Sequence, residues 1–293
     1  MEPKSERIAL KTGLSYHVLS WNGPPESDHT VVLIHGFLDL AWGWRRTAEK
    51  LAEHFHVIAP DMRGHGDSDR VGAGGYYYFA DYLADLDDVL GRLGAKRLSL
   101  VGHSMGGAIA SYYAATFPER IFRLALLEGL GPPESTTIGP DRMREFIASW
   151  RKVVDRSPRF EASLGDAARR LRKHDRLLDA GLALELAERG TIKEERGYRF
   201  KHDPLHYGIG PYGFETAIAQ RFWHAVRCPV LLVDGAESEF VKLLSPAELE
   251  RRMSSFATAR RAILPNAGHM IQRHQPDALA ALLRDFLSQD LVP

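Results

Sequence analysis

The chain has 293 residues, 44% hydrophobic and 26% charged, which places it among ordinary globular domains and outside the disordered and membrane-embedded classes. Lys plus Arg and Asp plus Glu balance at 38 each, so no net field draws the molecule to nucleic acid or to an anionic membrane, and no stretch approaches the roughly 18 consecutive apolar residues of a membrane span. The lone cysteine, Cys228, excludes an internal disulfide, and the polar, mixed-charge start Met1-Glu2-Pro3-Lys4-Ser5-Glu6-Arg7 predicts a cytoplasmic protein without a secretory leader.

Residues 6–20 alternate apolar and polar around Thr12-Gly13 and predict a hairpin. The next apolar runs, 31–34, 57–59, 98–101 and 122–127, are short and apolar on both faces, as in parallel strands covered on both sides. Helical periodicity near 44–54, 79–93 and 105–117 separates them, which predicts an α/β fold with a mostly parallel sheet and right-handed crossovers. The alternation stops between Gly129 and Arg227, and this stretch predicts a mostly helical cap spanning 129–227 on a core of 1–128 and 228–293. Pro229 leads into a new strand at 230–233; a last strand, 262–264, precedes an amphipathic helix that starts near Pro276.

Gly102-His103-Ser104-Met105-Gly106 directly follows the strand at 98–101 and opens a helix. In that context Gly-x-Ser-x-Gly makes a tight turn that lifts a nucleophilic serine above the sheet edge, over the positive end of a helix. His35-Gly36-Phe37 follows an earlier strand, so the N–H groups of Phe37 and Met105 are the candidate donors to a developing oxyanion. A serine needs a base. Of thirteen histidines, His269 sits right after the last strand and before the last helix, at the same sheet edge as Ser104.

Together the elbow, His-Gly-Phe, Asp61-Met62-Arg63-Gly64-His65-Gly66-Asp67-Ser68 and Gly268-His269 resemble the α/β-hydrolase superfamily over essentially the whole chain. Within it, Leu186-Ala187-Glu188-Arg189-Gly190-Thr191 resembles the serine hydrolase-like proteins. The resemblance implies the α/β-hydrolase fold with a cap, a Ser-His-acid triad and no cofactor. It also implies an acid three residues after the glycine that ends the strand following the cap, yet that place is held by Ser238. Glu237 and Glu239 flank it, and Glu128 ends the strand before the cap; some relatives, the haloalkane dehalogenases among them, take their acid from this earlier strand end. Glu128 is the preferred acid, with Glu237 and Glu239 as the alternatives, because a carboxylate placed after four apolar strand residues needs a buried partner.

Other signals carry less. Gly208-Ile209-Gly210-Pro211-Tyr212-Gly213 matches a nucleotide-loop pattern but follows no strand, and Pro204 breaks the helix that would pair His202 with His206 on a metal. The basic run Arg169, Arg170, Arg172 and Lys173 reads as a solvated helix face. The expected function is hydrolysis of a small carboxylic ester through an acyl-enzyme, by Ser104, His269 and Glu128, with Phe37 and Met105 as oxyanion donors and Leu38, Trp150, Phe214 and Met270 lining the pocket. Cleavage of a carbon–carbon or lactone bond by the same triad, or slow-turnover ligand reception, are the alternatives. The expected partner is a small ester, with no nucleic acid, membrane, cofactor or metal, and the expected state is monomer or homodimer.

Overall fold

The computed structural model describes residues 2–289. Eight strands make one sheet: β1 (Lys4–Ala9), β2 (Ser15–Trp21), β3 (His29–Ile34), β4 (His56–Pro60), β5 (Arg97–His103), β6 (Arg123–Leu127), β9 (Val230–Gly235) and β10 (Ala259–Leu264), in the spatial order β1-β2-β4-β3-β5-β6-β9-β10. The β1–β2 hairpin pairs antiparallel with β4; every neighbour from β4 to β10 is parallel. The remaining pair, β7 (Thr191–Glu194) and β8 (Gly197–Phe200), forms a small antiparallel hairpin within residues 129–227. Helical periodicity alone does not reveal that hairpin, because both strands are short and partly exposed.

The helices are α1 (Arg45–Leu51), α2 (Phe79–Gly91), α3 (Met105–Thr116), α4 (Gly139–Val154), α5 (Leu164–His174), α6 (Ala180–Gly190), α7 (Thr216–Trp223), α8 (Pro246–Met253), α9 (Ile271–His274) and α10 (Pro276–Leu287). No helix among the described residues is long and apolar enough to cross a membrane.

The strand pleat divides the core in two. Val31 and Leu33 of β3, Ala125 and Leu127 of β6, and Leu231 and Val233 of β9 face one cluster with Leu51, Leu279 and Phe286; the alternate residues Val32, Ile34, Leu124, Leu126, Val230 and Leu232 face the other with Leu86, Ile109 and Trp223. Both faces of the central strands are therefore apolar, which is why these runs do not alternate in the sequence. Within residues 129–227, α5 and α6 continue the first cluster through Ala167, Leu182 and Leu186, whereas α7 packs on α3 and puts Ala219 and Trp223 into the second.

The loop after β4 is held by a buried ion pair. Arg63 Nε donates to Asp85 at 2.6 Å, and Asp85 also accepts from the hydroxyls of Tyr16 and Thr12, each at 2.6 Å. Asp85→Asn removes the charge that balances a guanidinium only 6% exposed, and is expected to lower stability by about 3 kcal/mol, the scale for breaking a buried pair. Urea unfolding midpoints measure it; a loss below about 0.5 kcal/mol would mean that Asp81, 2.8 Å from the same guanidinium, suffices alone.

Residues 202–206 dock on that loop. Asp203 N–H donates to Gly64 O, Tyr77 Oη donates to Asp203 at 2.7 Å, and the His206 ring lies 3.9 Å from Tyr77 and 4.2 Å from His65. Burial pushes His206 down to about 4, and the same cause holds His29, edge-on to Phe55 and Phe122, at about 4. Folded values below the unfolded value of about 6.5 mean that the unfolded chain binds the extra protons between pH 6.5 and 4. Stability is therefore fully present above pH 6.5 and falls with pH through that window, at up to about 1.4 kcal/mol per pH unit for each histidine. Chemical denaturation at pH 7, 6 and 5 measures the slope, and His206→Asn is expected to flatten it.

Candidate active site

β5 ends in the elbow and α3 begins one residue later. Ser104 has φ 52° and ψ −117°, a strained conformation for a residue with a side chain, held by its N–H donating to Leu127 O and its carbonyl accepting from Gly107 and Ala108. The turn closes only because its flanks are glycine: a Cβ on Gly102 would lie 2.3 Å from Gly106 O, and one on Gly106 would lie 2.3 Å from Ile34 O.

His269 and Glu128 meet at the same sheet edge. His269 Nδ1 is 2.6 Å from Glu128 Oε2, and Glu128 is buried, with its side chain fully covered. Two further donors hold the carboxylate: Ser238 Oγ to Oε2 at 2.7 Å and the Gly235 N–H to Oε1 at 3.0 Å. Glu128 itself takes φ 48°, so the chain turns at the end of β6 and delivers the carboxylate between β6 and β9. With Nδ1–H given to the carboxylate, the lone pair of a neutral His269 is on Nε2, which has no hydrogen-bond partner among the described residues. Glu237 and Glu239 are exposed, and Glu239 pairs with Lys242 at 2.6 Å.

Neighbouring groups hold the histidine loop. The Phe240 ring lies 4.5 Å from the His269 ring, and the Phe240 N–H donates to Ser238 Oγ. His103 is buried beneath, its Nε2–H given to His269 O at 2.8 Å; burial, then the neighbouring His269, pushes its pKa well below the usual imidazole value. His103 is thus a neutral strut and not a second base.

Across the cleft, Asp39 ties the turn after β3 to the histidine loop through Arg273 at 2.5 Å and Gln272 at 3.3 Å. His65 accepts from the Leu38 N–H at 3.2 Å while its Nδ1 bonds to Arg63 O, so the Asp61–Ser68 loop sets the path of this turn. The Phe37 and Met105 N–H groups take no partner among the described residues. Leu38 lines a small cavity with Asp39, Gly66 and Phe200; Met270 directly follows His269 and is half-buried. Trp150, on α4, is 42% exposed. The Phe214 ring packs against Gly131, with the Arg252 guanidinium 5.0 Å above it.

A family model described as the alpha/beta hydrolase fold matches residues 29–273. This chain is an α/β hydrolase. It is 28% identical to a serine hydrolase-like protein of Dictyostelium discoideum over 278 residues, 89% of this chain and 76% of that one, and 26% identical to Epoxide hydrolase 4 of Mus musculus over 290 residues, 95% and 78%. Among solved structures it is similar to a thioesterase domain from the curacin biosynthetic pathway, with TM-score 0.84 and 26% identity over 97% of this chain and 99% of that one.

In this α/β hydrolase the sequence-predicted residues Ser104, His269 and Glu128 come from three different strand ends, and Phe37 and Met105 from two of the turns beside them. Sequence reasoning did not give Ser238 a role beyond marking the missing acid; its hydroxyl is a donor to Glu128. The signal was present, since a serine at a buried loop position beside a buried carboxylate needs a partner. For Phe240 and His103 the sequence carried no comparable signal, because both act through packing and a backbone contact.

Proposed function

We propose that this α/β hydrolase cleaves small carboxylic esters through an acyl-enzyme. One observation carries the reading: a buried, triply bonded carboxylate orients His269 through Nδ1 and leaves Nε2 open, at the sheet edge where the strained elbow presents Ser104. Ser104 attacks the carbonyl carbon as its proton passes to His269 Nε2; Glu128 stabilises the imidazolium; the Phe37 and Met105 N–H groups receive the oxyanion. Collapse of the tetrahedral species returns the proton to the leaving alcohol, and water repeats the sequence on the acyl-serine. Leu38 and Met270, adjacent to Phe37 and His269, are assigned to the pocket wall, with Trp150 and Phe214 contributed by the cap.

Serine at the elbow favours acyl chemistry over epoxide opening. A serine that opened an epoxide would be left in an ether, which this machinery cannot hydrolyse, whereas an acyl-serine is an ester that it can. The thioesterase similarity supports the same acyl-transfer class.

A pre-steady-state burst of about one p-nitrophenolate per chain, followed by turnover, is expected with short p-nitrophenyl esters; no burst and no turnover across acyl lengths of two to eight carbons would sink the reading. In the same panel Trp150→Ala is expected to shift chain-length preference while acetate turnover stays within about threefold. A uniform loss would mean that Trp150 only supports folding.

A further inference from the structure

We infer that the cap carries an anion subsite, and that the ester taken by this enzyme bears an oxyanionic group, such as a carboxylate, sulfate or phosphate, on the part that extends from Ser104 under the cap. The assignment of the anion to the substrate rests on the ester-hydrolase reading; the existence of the subsite does not.

A cavity in the cap is lined by the guanidinium-bearing residues Arg156, Arg159, Arg170 and Arg199 together with His202, and no carboxylate lies on its wall. Two carboxylates outside the wall pair with three of these arginines. Glu161 takes Arg159 at 3.1 Å and Arg170 at 2.8 Å, and Glu194 takes Arg199 Nε at 2.8 Å. The wall therefore carries four guanidiniums against two directly paired carboxylates, in a molecule whose formal net charge is zero. The Arg156 guanidinium has no hydrogen-bond or ion-pair partner among the described residues and is held over the Tyr207 ring, 5.3 Å from its centroid. Arg170 is stacked 5.3 Å from the Phe200 centroid and is turned away from the solvated face that the basic run of α5 suggests. A guanidinium held on an aromatic face with no carboxylate partner, as Arg156 is, keeps its planar donor edge free for a two-oxygen ligand.

The charge of Arg170 reaches His202, on the same cavity wall. Burial and then the charges of Arg170 and Arg70 push His202 down to about 4, so at neutral pH it adds no charge of its own and presents a ring to the ligand. Phe200 and His202 also line the smaller cavity that contains Leu38, Asp39 and Gly66. Leu38 follows Phe37, so the wall of Phe200 and His202 that the two cavities share stands between the arginines and the turn that supplies a proposed oxyanion donor. The proposal places the anionic end of an ester held at Ser104 beyond that wall, among the guanidiniums.

Two measurements test this. The first is calorimetric titration of Ser104→Ala protein with inorganic sulfate and with succinate at low ionic strength. Saturable binding that weakens at least tenfold in Arg156→Gln/Arg170→Gln is expected. Absence of binding overturns the subsite whether or not the protein is an esterase. The second compares mono-p-nitrophenyl glutarate, which carries a free carboxylate, with neutral p-nitrophenyl butyrate. The ratio of their kcat/KM values is expected to fall at least tenfold in Arg156→Gln, at an exposed position whose guanidinium makes no hydrogen bond among the described residues, and in the double variant, and to hold in Arg144→Gln on the solvent side of α4. An unchanged ratio despite sulfate binding overturns the substrate assignment and leaves a site for a free anion. Failure of wild-type protein to turn over either ester refutes the esterase reading and not the subsite.

Discussion

Ser104→Ala is expected to lower turnover of a p-nitrophenyl ester by about a millionfold, on the scale seen when the nucleophile of a serine triad is removed, and to abolish labelling by a fluorophosphonate. The change removes the attacking oxygen and little else. The side chain makes no hydrogen bond among the described residues, and the bonds that hold the turn are made by the backbone of residue 104. Alanine has the same steric limits at φ 52° as serine, so the unfolding midpoint is expected to stay within about 0.5 kcal/mol of the parent. Residual catalysis from the Phe37 and Met105 N–H groups and from binding should persist at a low level. Labelling at another serine in the variant would end the assignment of Ser104 as nucleophile.

The sheet and the elbow were legible because both have local signatures. Short apolar runs alternating with helical periodicity are what strands buried on two faces must look like, and the glycines of the elbow are demanded by contacts of 2.3 Å that any Cβ would make. His269 was legible by position, since the last strand end comes to the same edge as the elbow. The hairpin β7–β8 was not legible, because four-residue strands leave no period to count. Helix α8 was also missed: it begins at Pro246 after Ser245, whose side chain accepts from the Glu248 N–H, a start signal present in the sequence. The docking of residues 202–206 on the Asp61–Ser68 loop was beyond reach for a different reason. It depends on ring-to-ring contacts among His206, His65 and Tyr77, three residues brought together from distant parts of the chain.

The acid is where sequence pattern and structure bear on each other most directly. Glu128→Gln is expected to keep the shape of the site, with the amide still able to accept from the Gly235 N–H, and to lower kcat by up to about ten-thousandfold, because a neutral amide cannot stabilise the imidazolium and can favour the wrong tautomer of His269. Glu237→Gln and Glu239→Gln, at exposed positions, are expected to change kcat by less than about twofold. Ser238→Ala removes one of three donors to a buried carboxylate, a charge-assisted bond, and is expected to cost about tenfold. The decisive construction is Glu128→Gln with Ser238→Asp. Ser238 Oγ and His269 Nδ1 share Glu128 Oε2, so a carboxylate at residue 238 enters beside the imidazole from the strand end where most members of the superfamily carry their acid. The double variant is expected to recover at least about tenfold over Glu128→Gln alone. Ser238→Asp with Glu128 retained should instead be impaired, because two carboxylates forced into one buried site cannot both stay ionised. If Glu128→Gln kept near-parent kcat while Glu237→Gln or Glu239→Gln lost it, the acid would belong to the later loop, and the 2.6 Å contact between Glu128 and His269 would be structural only.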